Sequence, residues 1–244
     1  MGVAAAGAQS PPPVALRDGE SLTYSVRWGF IPAVGKIVVS ADKLGAGDDA
    51  VLRVTTTTST WGIARGLFPF DGRGESVYNA KTGLLLSSSE WSAYRNKVVK
   101  NSVTFNYGRS TAVYSDDIHP EKSRDIPMPY GNPSDLIIAL IQTRAWDIAP
   151  GQQRDTLVIF EDQFYPLTVH AQEFETLITL RGIYTALPLI PLMEKTPPVG
   201  MFKRGSTVEV WIETNDSQRL PVRFQVGFAF GTGTATLTDY TPPK

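Results

Sequence analysis

The feature that most constrains the fold is the strict alternation of apolar and polar residues in 21–28. Leu22, Tyr24 and Val26 are separated by Thr23 and Ser25, so the apolar side chains project from one face of an extended chain. The same alternation returns near the C-terminus, with apolar positions at Leu220, Val222, Phe224, Val226, Phe228 and Phe230. This pattern predicts an antiparallel sheet with one packed face, which is unlike the parallel sheets of cofactor-binding folds.

The composition narrows the possible functions. The 244 residues contain no cysteine, which excludes thiol catalysis, iron–sulfur clusters and cysteine-ligated zinc. Lysine plus arginine number 23 and aspartate plus glutamate number 24, so the chain lacks the basic excess of a nucleic-acid-binding protein. No apolar run approaches the ~20 residues of a membrane-spanning helix. We therefore expect no nucleic-acid partner and no cofactor.

The N-terminus resembles the end of an export signal. Ala6 and Ala8 match the small-residue pattern of a signal-peptide cleavage site, and residues 10–13 form a short extended linker. A disordered leader rich in alanine and glycine is the alternative. We predict that 1–17 are a signal-peptide remnant and linker of a periplasmic or otherwise exported protein, and that 18–241 form a single β domain.

One segment has a helical pattern. Asn132 is suited to the N-cap, Pro133 to the first helical position and Asp135 to the first turn. An apolar stripe follows at Leu136, Ile137, Leu140 and Ile141, and Pro150 and Gly151 end the pattern. We predict a mainly β fold, a curved antiparallel sheet forming an open or half barrel, with one helix at about 133–146 packed on or in it.

Several segments resemble a bacterial exported family, domain of unknown function 3108. The matching stretches, in chain order, are Gly19-Glu20-x-Leu22-x-Tyr24-x-Val26-x-Trp28, Ile31-Pro32-Ala33, Asn132-Pro133-Ser134-Asp135-Leu136, Gly182-Ile183-Tyr184-Thr185-Ala186-Leu187, and Gly205 through Val210-Trp211-Ile212 to Arg219-Leu220-Pro221-Val222. The likeness covers about 18–240. It implies a cell-envelope location and brings no catalytic residues to this sequence.

Catalytic signatures are absent from the sequence. It contains no Gly-x-Ser-x-Gly, His-Glu-x-x-His or Gly-x-x-x-x-Gly-Lys motif. Asp116, Asp117, His119 and Glu121 could together hold a cation or simply form a solvated loop, and we predict no metal site. Whether the chain is an enzyme stays open, with a non-catalytic role favoured.

The candidate ligand-binding residues are aromatic side chains and one arginine. Residues 61–70 are apolar and glycine-rich, so this segment either fills the mouth of the sheet or covers a cavity for an apolar ligand. Elsewhere, aromatic residues accompany polar strand faces in a way that fits sugar binding. The predicted ligand-binding residues are Trp61, Phe68, Phe70, Trp91, Tyr94, Trp211 and Arg223.

Two functions follow from these residues. The favoured one is an exported cell-envelope protein that binds an apolar or amphipathic small ligand, such as a lipid or a lipoprotein acyl chain, without catalysis. This function is suggested by a similarity of the predicted fold to periplasmic lipoprotein carriers, and a similarity of fold cannot by itself establish a function. The alternative is a polysaccharide-binding or lyase-type protein. A cell-envelope protein is a further possible partner, which would pair with an open sheet edge.

Overall fold

The computed structural model describes residues 14–229 and 231–244, and one β-sheet dominates this part of the chain. Within these residues, sixteen strands join the sheet: β1 (Ser21–Trp28), β2 (Ile31–Leu44), β3 (Val51–Thr60), β4 (Phe70–Asn79), β5 (Leu85–Tyr94), β6 (Lys97–Asn106), β7 (Thr111–Asp116), β8 (Arg124–Pro127), β9 (Pro133–Asp135), β10 (Gln153–Phe160), β11 (Gln163–Ala171), β12 (Glu175–Thr179), β13 (Gly182–Leu192), β14 (Thr207–Glu213), β15 (Pro221–Phe228) and β16 (Gly231–Thr241).

The sheet is a long antiparallel meander joined in the middle by its first and last strands. Its order is β8-β7-β6-β5-β4-β3-β2-β1-β16-β15-β14-β13-β11-β10-β9, with β12 paired to β13. Only the short β9 runs parallel to its neighbour, β10. Most strands that follow one another in the chain therefore pair with one another. The exceptions are β8 and β9, which form opposite edges of the sheet, and β11 and β12, which both pair with β13.

The sheet curls until its two edges approach each other without pairing. Arg124 on β8 forms an ion pair with Asp162, which follows β10. The rings of Phe105 and Phe164 meet edge to face at 6.4 Å between centroids. The Tyr78 hydroxyl on β4 lies 2.9 Å from Ser134 Oγ on β9. These contacts confirm the predicted curved, open antiparallel sheet.

Two α-helices and four short 3-10 turns interrupt the strands in the described residues. The helices are α1 (Gly62–Leu67) and α2 (Leu136–Gln142), and the 3-10 turns are Gly47–Asp49, Pro120–Lys122, Thr143–Ala145 and Gly200–Phe202. No helix in this part of the chain combines the length and apolar character needed to cross a bilayer.

The helix predicted at 133–146 is present but begins later, and the predicted N-cap was wrong. The Asp135 carboxylate caps α2, accepting hydrogen bonds from the amides of Ile137 at 2.9 Å and Ile138 at 3.2 Å. Pro133 lies in β9 opposite Leu157 of β10. Because that pairing holds 133–135 extended, the helix cannot start at Asn132.

Helix α2 lies inside the curled sheet and packs against apolar side chains on two sides. More of its residues are buried than the single apolar stripe predicted. Five of its seven residues are buried. Ile138 and Ile141 pack into the cluster that includes Leu22 and Tyr24. Leu136, Ala139 and Leu140 pack into a second cluster built from β10, β11, β13 and β14. The helix therefore joins two apolar clusters, and each Leu or Ile buried this way contributes about 1.5–3 kcal/mol.

A buried ion pair ties the end of this helix to the first strand. The Arg144 guanidinium lies 2.7 Å from Glu20 Oε1, and the two side chains are 7% and 1% exposed. Glu20 also accepts hydrogen bonds from the Tyr240 hydroxyl at 3.1 Å and the Arg17 amide at 3.0 Å. Arg144 in turn donates to the Ala15 carbonyl. Both oxygens of the Glu20 carboxylate are thus hydrogen-bonded, as a buried charge requires, whereas Nη1 of Arg144 is buried without a hydrogen-bond partner among the described residues.

Residues 14–17 pack against the domain, since Leu16 is 2% exposed and belongs to the first cluster. The predicted signal-peptide pattern at Ala6 and Ala8 and the apolar position Phe230 of the predicted alternation lie outside the described residues.

Replacing Glu20 with Ala should lower the free energy of unfolding by about 3–5 kcal/mol, because it leaves the Arg144 charge buried and unpaired. Replacing Glu20 and Arg144 together with Met should recover most of that loss. Urea denaturation measures both. The control is Asp48→Ala, which breaks a surface pair with Lys81 and should cost at most about 1 kcal/mol. Equal losses in Glu20→Ala and Asp48→Ala would contradict a structural role for the buried pair.

Candidate functional site

A cleft of about 210 Å³ lies on the concave side of the sheet and is here called the concave cleft. Its floor is formed by β3, β4, β5 and β6, and its wall by the start of α2 and the end of β10. The apolar side chains around it are Val54, Phe70, Val103, Leu136, Ile137, Ile159, Phe160 and Met201.

The cleft exists because the floor carries small side chains. Gly72 and Gly74 on β4 stand in the same cross-strand rows as Thr58 and Thr56 of β3. A Cβ added at Gly74 would meet only the Ser89 carbonyl oxygen, at 3.8 Å, and so would occupy open space. A Cβ added at Gly72 would instead meet the Phe70 ring at 3.1 Å, so at that position the ring takes the place of a side chain. Gly74 is therefore the glycine that leaves a hollow that a larger residue would fill.

One edge of the cleft is acidic. The pKa of the Glu90 carboxyl is raised first by its withdrawal from water and then by the charges of Glu161 and Asp135. Burial also raises the pKa of Asp135, and the amides of Ile138 and Ile137 act in the opposite direction. A negative group entering here would meet like charge, so this edge favours neutral, hydroxyl-bearing or cationic groups.

The neutral polar groups of the floor are hydroxyls and one amide. Asn101 on β6 is buried and pairs with Glu90 on β5. Ser76 faces Ser88 with 3.4 Å between their hydroxyl oxygens. These groups can donate or accept hydrogen bonds. The cleft thus combines an apolar wall with a polar floor.

Two of the seven predicted ligand-binding residues line this cleft, and three more lie near them in the sheet or in the chain. Phe70 and Trp91 line the cleft. Tyr94 pairs with Phe70 across β4 and β5. Trp61 and Phe68 flank α1 and are 50% and 54% exposed. The 61–70 segment therefore does not fill the mouth of the sheet as core.

Trp211 and Arg223 form a separate group. The Arg223 guanidinium lies over the Trp211 ring at 5.7 Å, and the ring is 6% exposed. The Trp211 indole N–H donates to Glu175. Burial, followed by the charge of Arg27, lowers the pKa of Arg223. With its face covered by Arg223, this indole offers no open surface for a sugar to stack on.

The acidic loop after β7 uses its polar groups internally. Asp116 accepts hydrogen bonds from the amides of Ile118 at 2.9 Å and His119 at 2.8 Å, and the His119 amide is the main cause of its lowered pKa. Asp117 pairs with Lys100 at 2.7 Å. Among the described residues, no group of three or more histidine, aspartate or glutamate side chains is placed to hold a metal ion.

The sequence reasoning missed the residues that make the cleft. Gly72, Gly74, Glu90 and Phe160 were not singled out. The alternation of two glycines in 72–74 inside an otherwise strand-like segment is a signal for a close approach or a hollow, and it was available.

Replacing Asp135 with Asn should stabilise the protein increasingly as pH rises. Asn keeps the cap and removes a carboxyl whose pKa is higher in the folded than in the unfolded protein. The folded wild type therefore binds its proton more tightly than the unfolded chain does. As pH rises from about 4 through the folded pKa, this proton is lost and the wild-type protein becomes less stable. In urea denaturation from pH 4 to 8, the unfolding free energy of Asp135→Asn should rise relative to that of wild type as the pH increases. Asp135→Ala, which also loses the cap, should be about 1 kcal/mol less stable than Asn at every pH. A difference that does not change with pH would refute the burial argument.

Comparison with known proteins gives a family and a fold. The family described as Protein of unknown function (DUF3108) matches residues 23–238. No curated protein matches the chain. The crystal structure of a beta-barrel-like protein of domain of unknown function DUF1849 from Brucella abortus is similar with a TM-score of 0.56 at 8% identity, covering 92% of this chain and 98% of that one.

Two further structures align along their length with lower scores. A protein classed as exported, with a YmcC-like fold, from Bacteroides fragilis has a TM-score of 0.34 at 10% identity, covering 93% of this chain and 97% of that one. A protein classed as a lipoprotein from Parabacteroides distasonis has a TM-score of 0.35 at 8% identity, covering 94% and 99%. At these identities, the Brucella structure supports the β-barrel-like fold alone.

Proposed function

The chain belongs to the DUF3108 family, and we propose that it is an exported, non-catalytic cell-envelope protein that binds the apolar end of an amphipathic ligand in the concave cleft. The observation that carries this proposal is the cleft itself, which has an apolar wall and a polar floor and is open to solvent at one end. The Ala6-x-Ala8 pattern supports the exported location.

The wall suits an apolar chain or ring. Leu136 and Ile159 are 7% and 4% exposed, which makes them part of the core as well as of the cleft surface. Phe160 and Met201 also line it. Methionine adapts to guests of different shape, because its side chain is unbranched and flexible.

The size of the cleft limits what enters. At about 210 Å³ it is smaller than the ~300–1,000 Å³ of pockets that enclose a drug-sized molecule. It therefore holds one chain end or one ring, and the rest of the ligand stays at the open end. The end of a lipid chain or of a lipoprotein acyl chain would fit a cleft of this size.

The acidic edge selects the polar end of the ligand. Glu90 and Glu161 stand where the ligand's polar group would lie. The pKa of Glu90 is raised first by burial and then by the charges of Glu161 and Asp135, so a further negative charge would be unfavourable there. A free fatty acid would add a further carboxylate. A monoacylglycerol would instead place hydroxyls beside Glu90, Asn101 and the serines of the floor.

The polysaccharide alternative draws less support from the geometry. Trp211 is covered by Arg223, and Trp91 stands in the cross-strand row of Arg73 and Lys100, apart from Trp211. The aromatic residues that favoured this alternative are therefore divided between two regions.

Filling the cleft should abolish ligand binding without unfolding the protein. Gly74→Leu places a side chain in open space, so we expect the variant to lose co-purifying lipid, measured by native mass spectrometry and by extraction of the purified protein. Thr57→Val on β3 is the matched control, because Thr57 does not line the cleft and should leave lipid content unchanged. Lipid retained by Gly74→Leu, or no lipid in any form of the protein, would defeat the proposal.

The charge of the ligand head group should matter in a pH-dependent way. At pH 8, monooleoylglycerol should bind more tightly than oleate, because oleate meets the Glu90 and Glu161 charges. As pH falls and the Glu90 carboxyl protonates, the difference should shrink, and Glu90→Gln should shrink it at pH 8. Isothermal titration calorimetry measures each affinity. A preference for oleate at pH 8 would contradict the role given to the acidic edge.

A further inference from the structure

One end of the sheet displays a group of large apolar side chains in water. It comprises the β1–β2 turn, the β3–β4 connection with α1, and the β5–β6 turn. Its exposed apolar side chains, here called the apolar tip, are Phe30 (96% exposed), Ile31 (47%), Trp61 (50%), Ile63 (85%), Leu67 (59%) and Phe68 (54%).

The three connections touch one another, so the tip is one surface. The Trp61 amide donates to the Val34 carbonyl at 3.1 Å, which joins the start of α1 to β2. The Arg95 guanidinium donates to the Leu67 carbonyl at 3.0 Å and lies 5.9 Å from the centre of the Phe68 ring. The β5–β6 turn is thereby attached to the end of α1.

The tip is held in place although none of α1 is buried. A six-residue helix is unstable alone in water. Here Arg65 forms a two-point pair with Asp71, at 2.7 Å and 2.6 Å, and so clamps the helix to the start of β4. In the β1–β2 turn, Gly29 adopts a φ of +55°, which sends Phe30 outward. Contiguous exposed apolar surface of this kind marks an interaction site.

The charges around the tip are basic. Residues 25–37, 59–71 and 93–99 contain five basic residues and a single acidic one, Asp71, in a chain whose net charge is −1. Arg65 is paired with Asp71. The other four basic residues, here called the basic collar, have no ion-pair partner among the described residues; they are Arg27, Lys36, Arg95 and Lys97.

From this combination we infer that the apolar tip inserts into the surface of an anionic phospholipid bilayer, with the basic collar on the head groups. Aromatic and aliphatic side chains at a protein's end, surrounded by lysine and arginine, match the apolar boundary and negative surface of such a membrane. The inference does not depend on the concave cleft holding a ligand.

A second apolar hairpin provides an internal contrast. The β12–β13 turn exposes Ile178, Leu180 and Ile183, with Leu180 97% exposed. It lies beside the opposite end of β16, where Arg181 approaches Asp239 at 3.9 Å. Burial raises the pKa of nearby Glu213, the charge of Asp216 raises it further and the charge of Arg181 lowers it. This hairpin has apolar area without the basic collar, so anionic lipid should not bind it.

The test is co-sedimentation of the full chain with vesicles. Wild type should bind phosphatidylcholine vesicles containing 30 mol% phosphatidylglycerol, and bind pure phosphatidylcholine vesicles much less. The double variant Phe30→Ser with Ile63→Ser should bind at least about tenfold more weakly. Leu180→Ser, which removes equally exposed apolar area at the other end, and Gly74→Leu, which fills the cleft, should bind like wild type.

The charge contribution is measured separately. Arg95→Gln with Lys97→Gln should weaken binding to the anionic vesicles by about fivefold per charge at low salt, and added salt should weaken wild type in the same direction. Thermal unfolding checks that each variant is folded. The inference fails if wild type does not sediment with anionic vesicles, if pure phosphatidylcholine binds equally well, or if Leu180→Ser weakens binding as much as the tip variant.

Discussion

The buried ion pair between Glu20 and Arg144 ties the interior helix to the sheet. It joins the residue before β1 to the turn after α2, across a sequence separation of 124 residues. Because the partners are almost completely withdrawn from water, each is tolerable only while the other is present. The pair therefore holds the end of α2 in one position inside the curled sheet, and the apolar clusters on either side of the helix form around that position.

A helix held in this way also determines the cleft. The start of α2, capped by Asp135, supplies Leu136 and Ile137 to the wall, while the floor comes from β3–β6 on the far part of the same sheet. Part of the hollow between them is the space that Gly74 leaves unfilled. The two proposals thus concern different features: the cleft lies between helix and sheet, whereas the apolar tip is built from turns that lie beyond the sheet end.

The sequence predicted the sheet, its curvature and the presence of a helix, because alternation and apolar stripes are local properties. It misjudged the start of the helix. Asn132 and Pro133 form a plausible helix start by local preference, yet strand pairing with β10 holds Pro133–Asp135 extended, and Asp135 takes the capping role. Of the predicted ligand-binding residues, Phe70 and Trp91 reach the cleft, whereas Trp211 is buried under Arg223. Residue type alone could not separate these cases.

The amino-acid sequence by itself determined that this chain forms an antiparallel sheet with one apolar face, contains no cysteine chemistry and belongs with a family of similar pattern. Each of these properties is carried by neighbouring residues or by composition. Only the tertiary structure decided that Glu20 meets Arg144, that Gly74 borders empty space and that residues 61–68 face water. Those outcomes depend on which segments, far apart in the sequence, come together when the sheet curls. A local sequence pattern carries no information about such contacts.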